Sequence, residues 1–346
     1  MPFIQLLQFP SESTFLLVMT TLLGAGIGSF LGMAAYRLPR GVSFVQPSRS
    51  FCPGCNVIVP WYRNLPVFSW LWQRGRCFCP KRQALSARYL VLEFSCAVLF
   101  ATNFFLTQNG WPQLVFLSLF CAYALLTGAI DLEHRIIPTS LSVQMAIVGA
   151  VYSASGWNPA MAGEGISRRL AVSVSGAIAG AAVVAGLMLL GKTLCRPKPH
   201  RFEPPVEIEV VGTKVRSRQG DEPWDESSVT DFLVLPWERL EFRSAGRVET
   251  VTLRTATPTY RYHDLQVQEI VAPQDAIGWG DLKWLAALGA WVGPLGALET
   301  MGLSSILACF GIVFVWVKNR QKPSGMSFGP WLSVAAYLLM VAGKNV

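Results

Sequence analysis

The stretch that decides the fold is Gly278-Trp-Gly-Asp-Leu-Lys-Trp-Leu-Ala-Ala-Leu-Gly-Ala-Trp291, in which two glycines, Asp281 and Lys283 lead into an apolar run. That run covers 279–299, which is close to the roughly 20 residues that a helix needs to cross a bilayer. Seven further apolar runs lie along the chain, at 14–35, 89–108, 112–131, 140–156, 169–194, 301–317 and 328–343. The sequence therefore predicts an all-α polytopic membrane protein with about eight transmembrane helices.

The composition agrees with a membrane protein and excludes an ordinary soluble domain. Hydrophobic residues make up 52% of the 346 positions and charged residues only 14%, whereas about a quarter of the residues in a typical globular domain are charged. The first run is too long for the core of a signal peptide and lacks a basic start, so we expect a retained transmembrane helix.

The distribution of Lys and Arg predicts the orientation in the membrane. The segment 37–88 is rich in both residues and contains no acidic residue, so we expect it on the cytoplasmic side. Alternation of the spans then brings 132–139, 195–277 and 318–327 to the same side, and both termini to the other. We expect a first helix in 1–36, a basic Cys-rich module in 37–88, helices two to five in 89–194 and helices six to eight in 278–346.

The remaining segment, 195–277, differs from the rest of the chain. Polar and apolar residues alternate in Val206-Glu-Ile-Glu-Val-Val211 and in Leu240-Glu-Phe-Arg243, as they do in half-buried strands. Ser244-Ala-Gly-Arg247 follows the second of these runs and can form the turn of a hairpin. We therefore predict a small β-rich soluble domain inserted between the fifth and sixth spans.

Two aspartates are candidates for catalysis, because ionised residues at membrane depth are costly and are usually functional. Asp131 ends the third span and Asp281 opens the sixth, so the predicted topology brings both to the cytoplasmic boundary. Two adjacent carboxyl groups can share one proton, so that one takes a proton from water while the other polarises a scissile carbonyl. Gly278 and Gly280 would let a helix or an extended substrate approach closely.

The alternative for each aspartate is that it caps or terminates a helix at the level of the headgroups. Lys283 is open to two similar interpretations, an interfacial charge or a group that holds the site.

Several motifs, in order along the chain, resemble those of one family. Gly278-Trp-Gly-Asp281 looks like the GxGD signature of type IV prepilin peptidases, and Asp131 with Pro138 matches that family's first catalytic aspartate and its downstream proline. Further matches are Gly28-Ser-Phe-Leu-Gly-Met-Ala-Ala-Tyr-Arg-Leu-Pro-Arg40, Trp61-Tyr-Arg-Asn-Leu-Pro-Val-Phe-Ser-Trp70, Arg74-Gly-Arg-Cys77, Ser86-Ala-Arg-Tyr89 and Phe328-Gly-Pro-Trp-Leu332. Two positions depart from the family pattern: Thr139 stands where Asp or Asn is common, and Gly32 where Asn is usual. The resemblance covers about three quarters of the chain and leaves out 195–270.

The resemblance implies an aspartyl endopeptidase of the bacterial inner membrane, with Asp131 and Asp281 as the catalytic pair and Gly278, Gly280, Lys283 and Pro138 in support. Its substrates would be prepilins or pseudopilins of a type IV pilus or type II secretion system, cut on the cytoplasmic face, and nucleic acid is not an expected partner. Many family members also methylate the new N-terminus with S-adenosylmethionine. The sequence itself shows no nucleotide-binding loop for that cofactor.

Four cysteines lie in the basic module as Cys52-Pro-Gly-Cys55 and Cys77-Phe-Cys79. Two closely spaced pairs about twenty residues apart are typical of a four-thiolate zinc site, although the second pair here is CxC rather than CxxC. Such a zinc would be structural, because four thiolates leave no position for a catalytic water. Reduced thiols and a disulfide remain open, and the cytoplasmic location argues against the disulfide.

Two other functions are compatible with buried carboxylates in a membrane protein. A proton- or ion-coupled transporter would use them to carry protons, and it commonly has such groups near the bilayer midplane. A non-catalytic assembly protein would instead use the basic loop and the inserted domain to dock pilus or secretion components.

Overall fold

The fold was analysed in a computed structural model of the chain. It describes residues 11–44, 58–60, 62, 65–77, 84–107, 110–158, 161, 163–194, 198–211, 214–218, 239–244, 247–252, 260–272, 277–319 and 326–343. The helices are α1 (Ser11–Arg37), α2 (Phe68–Trp72), α3 (Ala87–Leu106), α4 (Trp111–His134), α5 (Thr139–Ser155), α6 (Ile166–Leu194), α7 (Trp279–Asn319) and α8 (Gly329–Ala342).

Five of the described helices, α1, α3, α4, α6 and α7, are long and apolar enough to cross a membrane. This confirms the prediction of a helical, multi-pass membrane protein. The predicted number of eight spans is not reached among the described helices. The helices α5 and α8 are shorter than the five, and two of the predicted spans lie within the single helix α7.

The prediction for α7 was wrong about where the chain breaks. The apolar pattern separates two spans at residue 300, but Thr300 is helical and buried, and its hydroxyl donates to the carbonyl of Gly296 at 2.6 Å. The helical geometry is interrupted instead at Gly293, with φ 74° and ψ −179°, directly before Pro294. Glycine adopts this left-handed φ without steric cost, and proline has no N–H to continue the helix.

Contacts on either side of Gly293 show that the chain bends sharply there. Trp284 Nε1 donates to Ser333 Oγ at 2.9 Å, while Gly311 lies against the ring of Trp331. In a straight helix, residues 284 and 311 would be about 40 Å apart. Both nevertheless reach the first turns of α8, so the second half of α7 returns toward the beginning of the first half.

Glycines allow α1 to approach α3 closely. Gly24, Gly28 and Gly32 recur every four residues and therefore share one face of the helix. A Cβ at Gly28 would lie 2.6 Å from the Cα of Glu93, and one at Gly24 would lie 2.8 Å from the Cβ of Phe100. Small residues are a common means of packing helices within membranes, where van der Waals contact drives association.

Glycines also allow α6 to pack closely against the first half of α7. Cβ atoms at Gly176 and Gly180 would collide with the backbone of Gly289 and Leu285 respectively. The two helices therefore cross with their backbones in contact, which fixes the position of the first half of α7.

Five strands lie in the segment for which the sequence predicts a β-rich insertion. They are β1 (Lys198–Val211), β2 (Lys214–Arg218), β3 (Arg239–Ser244), β4 (Arg247–Thr252) and β5 (Tyr260–Ala272). They form an antiparallel sheet in the order β2-β1-β5-β3-β4. Ser244 pairs with Arg247, which confirms the predicted hairpin. The register of β1 shifts between Arg201 and Val206, where two prolines cannot donate ladder hydrogen bonds.

The chain divides into two compact units, one formed by 1–182 with 280–346 and the other by 183–279. The sheet belongs to the second unit. The candidate site lies in the first.

Candidate active site

Asp131 is held at the C-terminal end of α4. Its side chain is only 5% exposed, and its Oδ2 accepts a hydrogen bond from the backbone N–H of Gly329 at 3.0 Å. The carbonyl of Asp131 accepts two more, from the Ser327 hydroxyl and the Arg135 N–H, each at 2.8 Å. Arg135 has a left-handed φ of 54° and ends the helix. The carboxylate is therefore held by the start of α8, and the backbone of Asp131 is held by Ser327 and by the end of its own helix.

Gly329 begins α8, and the nature of a helix N-terminus explains its contact with Asp131. The first N–H groups of a helix have no intrahelical acceptor, and they favour a negatively charged partner. A Cβ at Gly329 would lie 2.8 Å from Asp131 Oδ2 and 3.0 Å from Ile137 Cδ1, so no larger residue fits without a shift. The helix-capping interpretation of Asp131 is thus partly correct, although the helix that it caps is α8.

The connection between α4 and α5 leads from Asp131 to α7. Pro138 is extended, with φ −60° and ψ 128°, and its carbonyl accepts the N–H groups of the first turn of α5. Ile137 is buried beside Gly329, and its Cβ would lie 3.1 Å from a Cβ at Gly280. Ile137 therefore separates the start of α8 from the start of α7, and it is in contact with both.

The first turn of α7 carries Asp281 and Lys283. The Lys283 ammonium donates to the hydroxyl of Thr139 at 2.8 Å, which ties this turn to the residue after Pro138. Asp281 lies on the same turn and is partly exposed, as is Lys283, while Gly278 is exposed just before the helix. The structure therefore brings Gly280 and Lys283 against Ile137 and Thr139, in the connection between α4 and α5.

A group of charged residues lies at the same ends of three helices. Arg88 at the start of α3 forms an ion pair with Glu133 at the end of α4, and Arg40, just after α1, lies 3.6 Å from the same carboxylate. Arg40 Nη1 is also 3.4 Å from His134 Nε2. The ends of the basic segment 37–88 and the Asp131 end of α4 therefore lie on one side of the helices.

The predicted zinc ligands are described only in part. Cys52, Cys55 and Cys79 lie outside the described residues, and Cys77 is buried. Cys77 follows an antiparallel bridge between Arg76 and Ala84, so the described backbone closes the loop that contains the CxC pair. Within the described part of the chain, His, Cys, Asp and Glu residues form no metal-binding group of three or more.

Three residues of this region were not predicted from the sequence: Ser327, Gly329 and Glu93. Gly329 with Pro330 at the start of an apolar run is a pattern typical of a helix N-terminus, and it could have indicated Gly329. Glu93 is a buried acid within an apolar run, a signal for a functional or structural role. Its Oε2 accepts the N–H of Val67 at 2.7 Å, which anchors α2 to α3. No pattern in the sequence indicated Ser327.

Comparison with known proteins agrees with the resemblance that the motifs carry. Residues 22–107 match the family described as Bacterial Peptidase A24 N-terminal domain, a range that contains neither aspartate. The prepilin leader peptidase/N-methyltransferase of Aeromonas hydrophila is 24% identical over 92% of this chain and 88% of its own length. The protein of the same name from Pseudomonas putida is 23% identical over 97% and 93%.

A further relative of that name, from Myxococcus xanthus, is 38% identical over 37% of each chain. No solved structure matches the chain. The matches to the two long relatives cover enough of the chain to include both aspartates and the basic segment. The motifs, the family match and these relatives thus all point to similarity with the type IV prepilin peptidases along most of the chain.

Proposed function

We propose that this protein removes the leader peptide of type IV prepilins or pseudopilins at the cytoplasmic face of the bacterial inner membrane, with Asp131 and Asp281 as the catalytic pair. The names of its relatives support leader-peptide processing. One structural observation carries the assignment of the two residues. The first turn of α7 packs, through Gly280 and Lys283, on the segment Ile137–Thr139 that follows Asp131.

The chemistry requires one water and the two carboxyl groups. One carboxylate takes a proton from the water, which attacks the scissile carbonyl, while the other carboxyl group donates a hydrogen bond to the carbonyl oxygen. The two groups then exchange roles as the amine leaves. The Asp131 carboxylate is held in place by the Gly329 N–H, which donates to its Oδ2. Asp281 is partly exposed, so an extended substrate can approach it.

The names of the relatives and the location of the two aspartates both favour a peptidase over a transporter. Transporter carboxylates commonly lie near the bilayer midplane, but Asp131 is three residues from the end of α4 and Asp281 is in the first turn of α7. The names of the relatives, which describe an enzyme, also favour a peptidase over a non-catalytic assembly protein.

N-methylation of the new N-terminus is the second reaction in the names of the relatives, and we propose it here as well. S-adenosylmethionine would supply the methyl group. A cavity of about 1130 Å³ beside α2, lined by Tyr62, Phe68, Trp72, Arg74 and Arg76, is large enough for a ligand of that size. Its aromatic rings would stack on the adenine and its arginines would face the carboxylate.

The Cys-rich module would be held by a structural zinc on Cys52, Cys55, Cys77 and Cys79. The burial of Cys77 at the base of a closed loop agrees with this donor set. Four thiolates would complete a tetrahedron and would stabilise a segment that has little apolar core of its own.

The architecture that we propose has eight spans, with α5, α8 and the two halves of α7 each crossing the membrane. Its orientation brings the module 37–88 and the β-rich insertion 195–277 to the cytoplasm. The sharp bend at Gly293 supports counting α7 twice, because both of its halves contact the first turns of α8.

Co-expression with a candidate prepilin tests the proposed reaction. Asp131→Asn and Asp281→Asn should each abolish the shift in prepilin mass that leader removal causes, while both variants accumulate in the membrane at wild-type levels. In the Asp131→Asn variant the side-chain amide keeps an oxygen that can accept the Gly329 N–H, so a loss of cleavage would report on chemistry rather than on folding.

Glu299→Gln is the matched control. Glu299 is an exposed carboxylate on the second half of α7, and its replacement should leave cleavage unchanged. Cleavage that persists in both aspartate variants would exclude the proposed mechanism. Mass spectrometry of the mature N-terminus would report on methylation in the same samples.

A further inference from the structure

An apolar groove runs between α3, α4 and α8, with a cavity volume of about 610 Å³. Its walls include Val91 and Leu99 of α3, Ala124 and Leu132 of α4, and Val334 of α8. Val91 is 58% exposed and Val334 is 46% exposed, so the two sides of the groove are open rather than packed against each other. The groove is therefore open at the outer surface of the helices.

One end of the groove lies beside Asp131. Gly128 and Ala129 line it one turn before Asp131, and Leu132 lines it directly after. Pro330, which follows Gly329, also lines the groove and lies 3.6 Å from the Cβ position of Gly128. Neighbours of Asp131 on α4 and the neighbour of Gly329 on α8 thus form one end of the groove.

The polarity of the groove changes at the level of Asp131. The part of the groove that lies farther from Asp131 has apolar walls, and Phe120 and Tyr337 line that end. At the other end it is closed by the ion pair between Arg88 and Glu133, two residues beyond Asp131. A chain lying in the groove would therefore pass from an apolar to a charged environment beside the catalytic carboxylate.

The dimensions of the groove fit one face of a helix. From Phe120 to Leu132, α4 rises about 18 Å, the length of about 12 helical residues. A helix of that length and about 10 Å in diameter would fill about 1,400 Å³. The volume of the groove is less than half of this, so it would receive the side chains of one helical stripe, as in other helix-in-groove contacts.

We propose that this groove holds the apolar segment of the prepilin that continues from the cleavage site into the bilayer. The proposal rests on the proposed function, and it adds the surface that positions the substrate. The apolar segment would lie against α3, α4 and α8, and its polar leader would leave at the charged end. The scissile bond, at the junction of the two, would then lie next to Asp131.

Photo-crosslinking of the full-length protein in membranes tests the occupant. A photoreactive residue would replace Val91 or Val334 in the groove, or Ile147 on α5 and Ile178 on α6 as controls. The two controls are 57% and 64% exposed, similar to the groove positions. With the Asp281→Asn substitution to keep the substrate uncut, a tagged prepilin should crosslink at the groove positions and not at the controls.

A second measurement uses cleavage. Ala124→Trp would fill the groove without touching either aspartate, and it should lower kcat/KM for a full-length prepilin by about tenfold, the factor expected when one apolar anchor is lost. Ile147→Trp adds the same side chain at an exposed position outside the groove, and it should have no effect.

The outcomes separate the two proposals. If the wild-type chain cuts no prepilin, the proposed function fails, whatever occupies the groove. If it cuts prepilin but the groove positions crosslink only to lipid or to a second copy of the chain, the docking proposal alone fails. It also fails if Ala124→Trp leaves kcat/KM unchanged.

Discussion

The Asp131 carboxylate and the Gly329 backbone N–H are joined by a 3.0 Å hydrogen bond across 198 positions of sequence. This bond links the end of α4 to the beginning of α8, and Ile137 packs beside both residues. The first N–H of α8 has no acceptor within its own helix, and the Asp131 carboxylate accepts its hydrogen bond. A negative charge is favourable at a helix N-terminus. The orientation of the carboxylate thus depends on a helix distant in sequence.

We predict that Gly329→Ala abolishes most leader cleavage. The new Cβ would lie 2.8 Å from Asp131 Oδ2, so either the carboxylate or α8 must move. A displacement of about 1 Å in an active site can lower the rate by about 100-fold. The measurement is the rate of prepilin cleavage in membranes that contain equal amounts of enzyme.

Gly302→Ala is the control for this change, because a Cβ at Gly302 meets no atom within 4 Å. It adds the same methyl group to a helix and should retain the wild-type rate. Equal rates for the two alanine variants would show that Gly329 does not constrain Asp131.

Lys283 and Thr139 should affect the rate of cleavage only through the hydrogen bond between them. Lys283→Met and Thr139→Val each remove the 2.8 Å hydrogen bond, and we expect each to lower cleavage by about fivefold, which corresponds to one ordinary hydrogen bond. The double variant should be no worse than either single variant, since both remove the same bond. Additive losses in this double-mutant cycle would mean that the two side chains act independently.

The approach of α1 to α3 should be sensitive to one methyl group. Gly28→Ala would bring a Cβ within 2.6 Å of the Glu93 backbone, and we expect a loss of about 1–3 kcal/mol in stability, typical of overpacking. Gly26 has nothing within 4 Å of its Cβ position, so Gly26→Ala should have no such cost. Thermal unfolding of the purified variants in detergent would measure the difference, and a Gly28 variant as stable as the Gly26 variant would contradict the predicted packing.

Purified full-length protein should contain about one zinc ion per chain if the four cysteines bind a structural metal. Cys77→Ser should release the metal and lower the temperature of unfolding. Cys309→Ser, at an exposed cysteine on α7, should retain it. Metal analysis would decide, and wild-type protein with no bound zinc would leave reduced thiols or a disulfide in its place.

Much of the helical framework was predictable, because its signals are local. An apolar run near twenty residues long must satisfy its own backbone hydrogen bonds in lipid, so it can only be a helix or part of one. The ends of α3 and α4 fall within a few residues of the predicted ones. The break in α7 was misplaced because the polar Thr300 separates two apolar runs in the sequence, whereas its hydroxyl is satisfied by its own helix.

The presence of the two aspartates, their place at the ends of apolar runs and the resemblance to prepilin peptidases were all determined by the sequence alone, since each depends on residue type and order. The tertiary structure alone decided which groups surround them. The Gly329 N–H on Asp131, the position of Ile137 between two helix starts, and the bond from Lys283 to Thr139 all join segments far apart in the chain. Contacts of this kind depend on how helices pack, and no local pattern of residues encodes them.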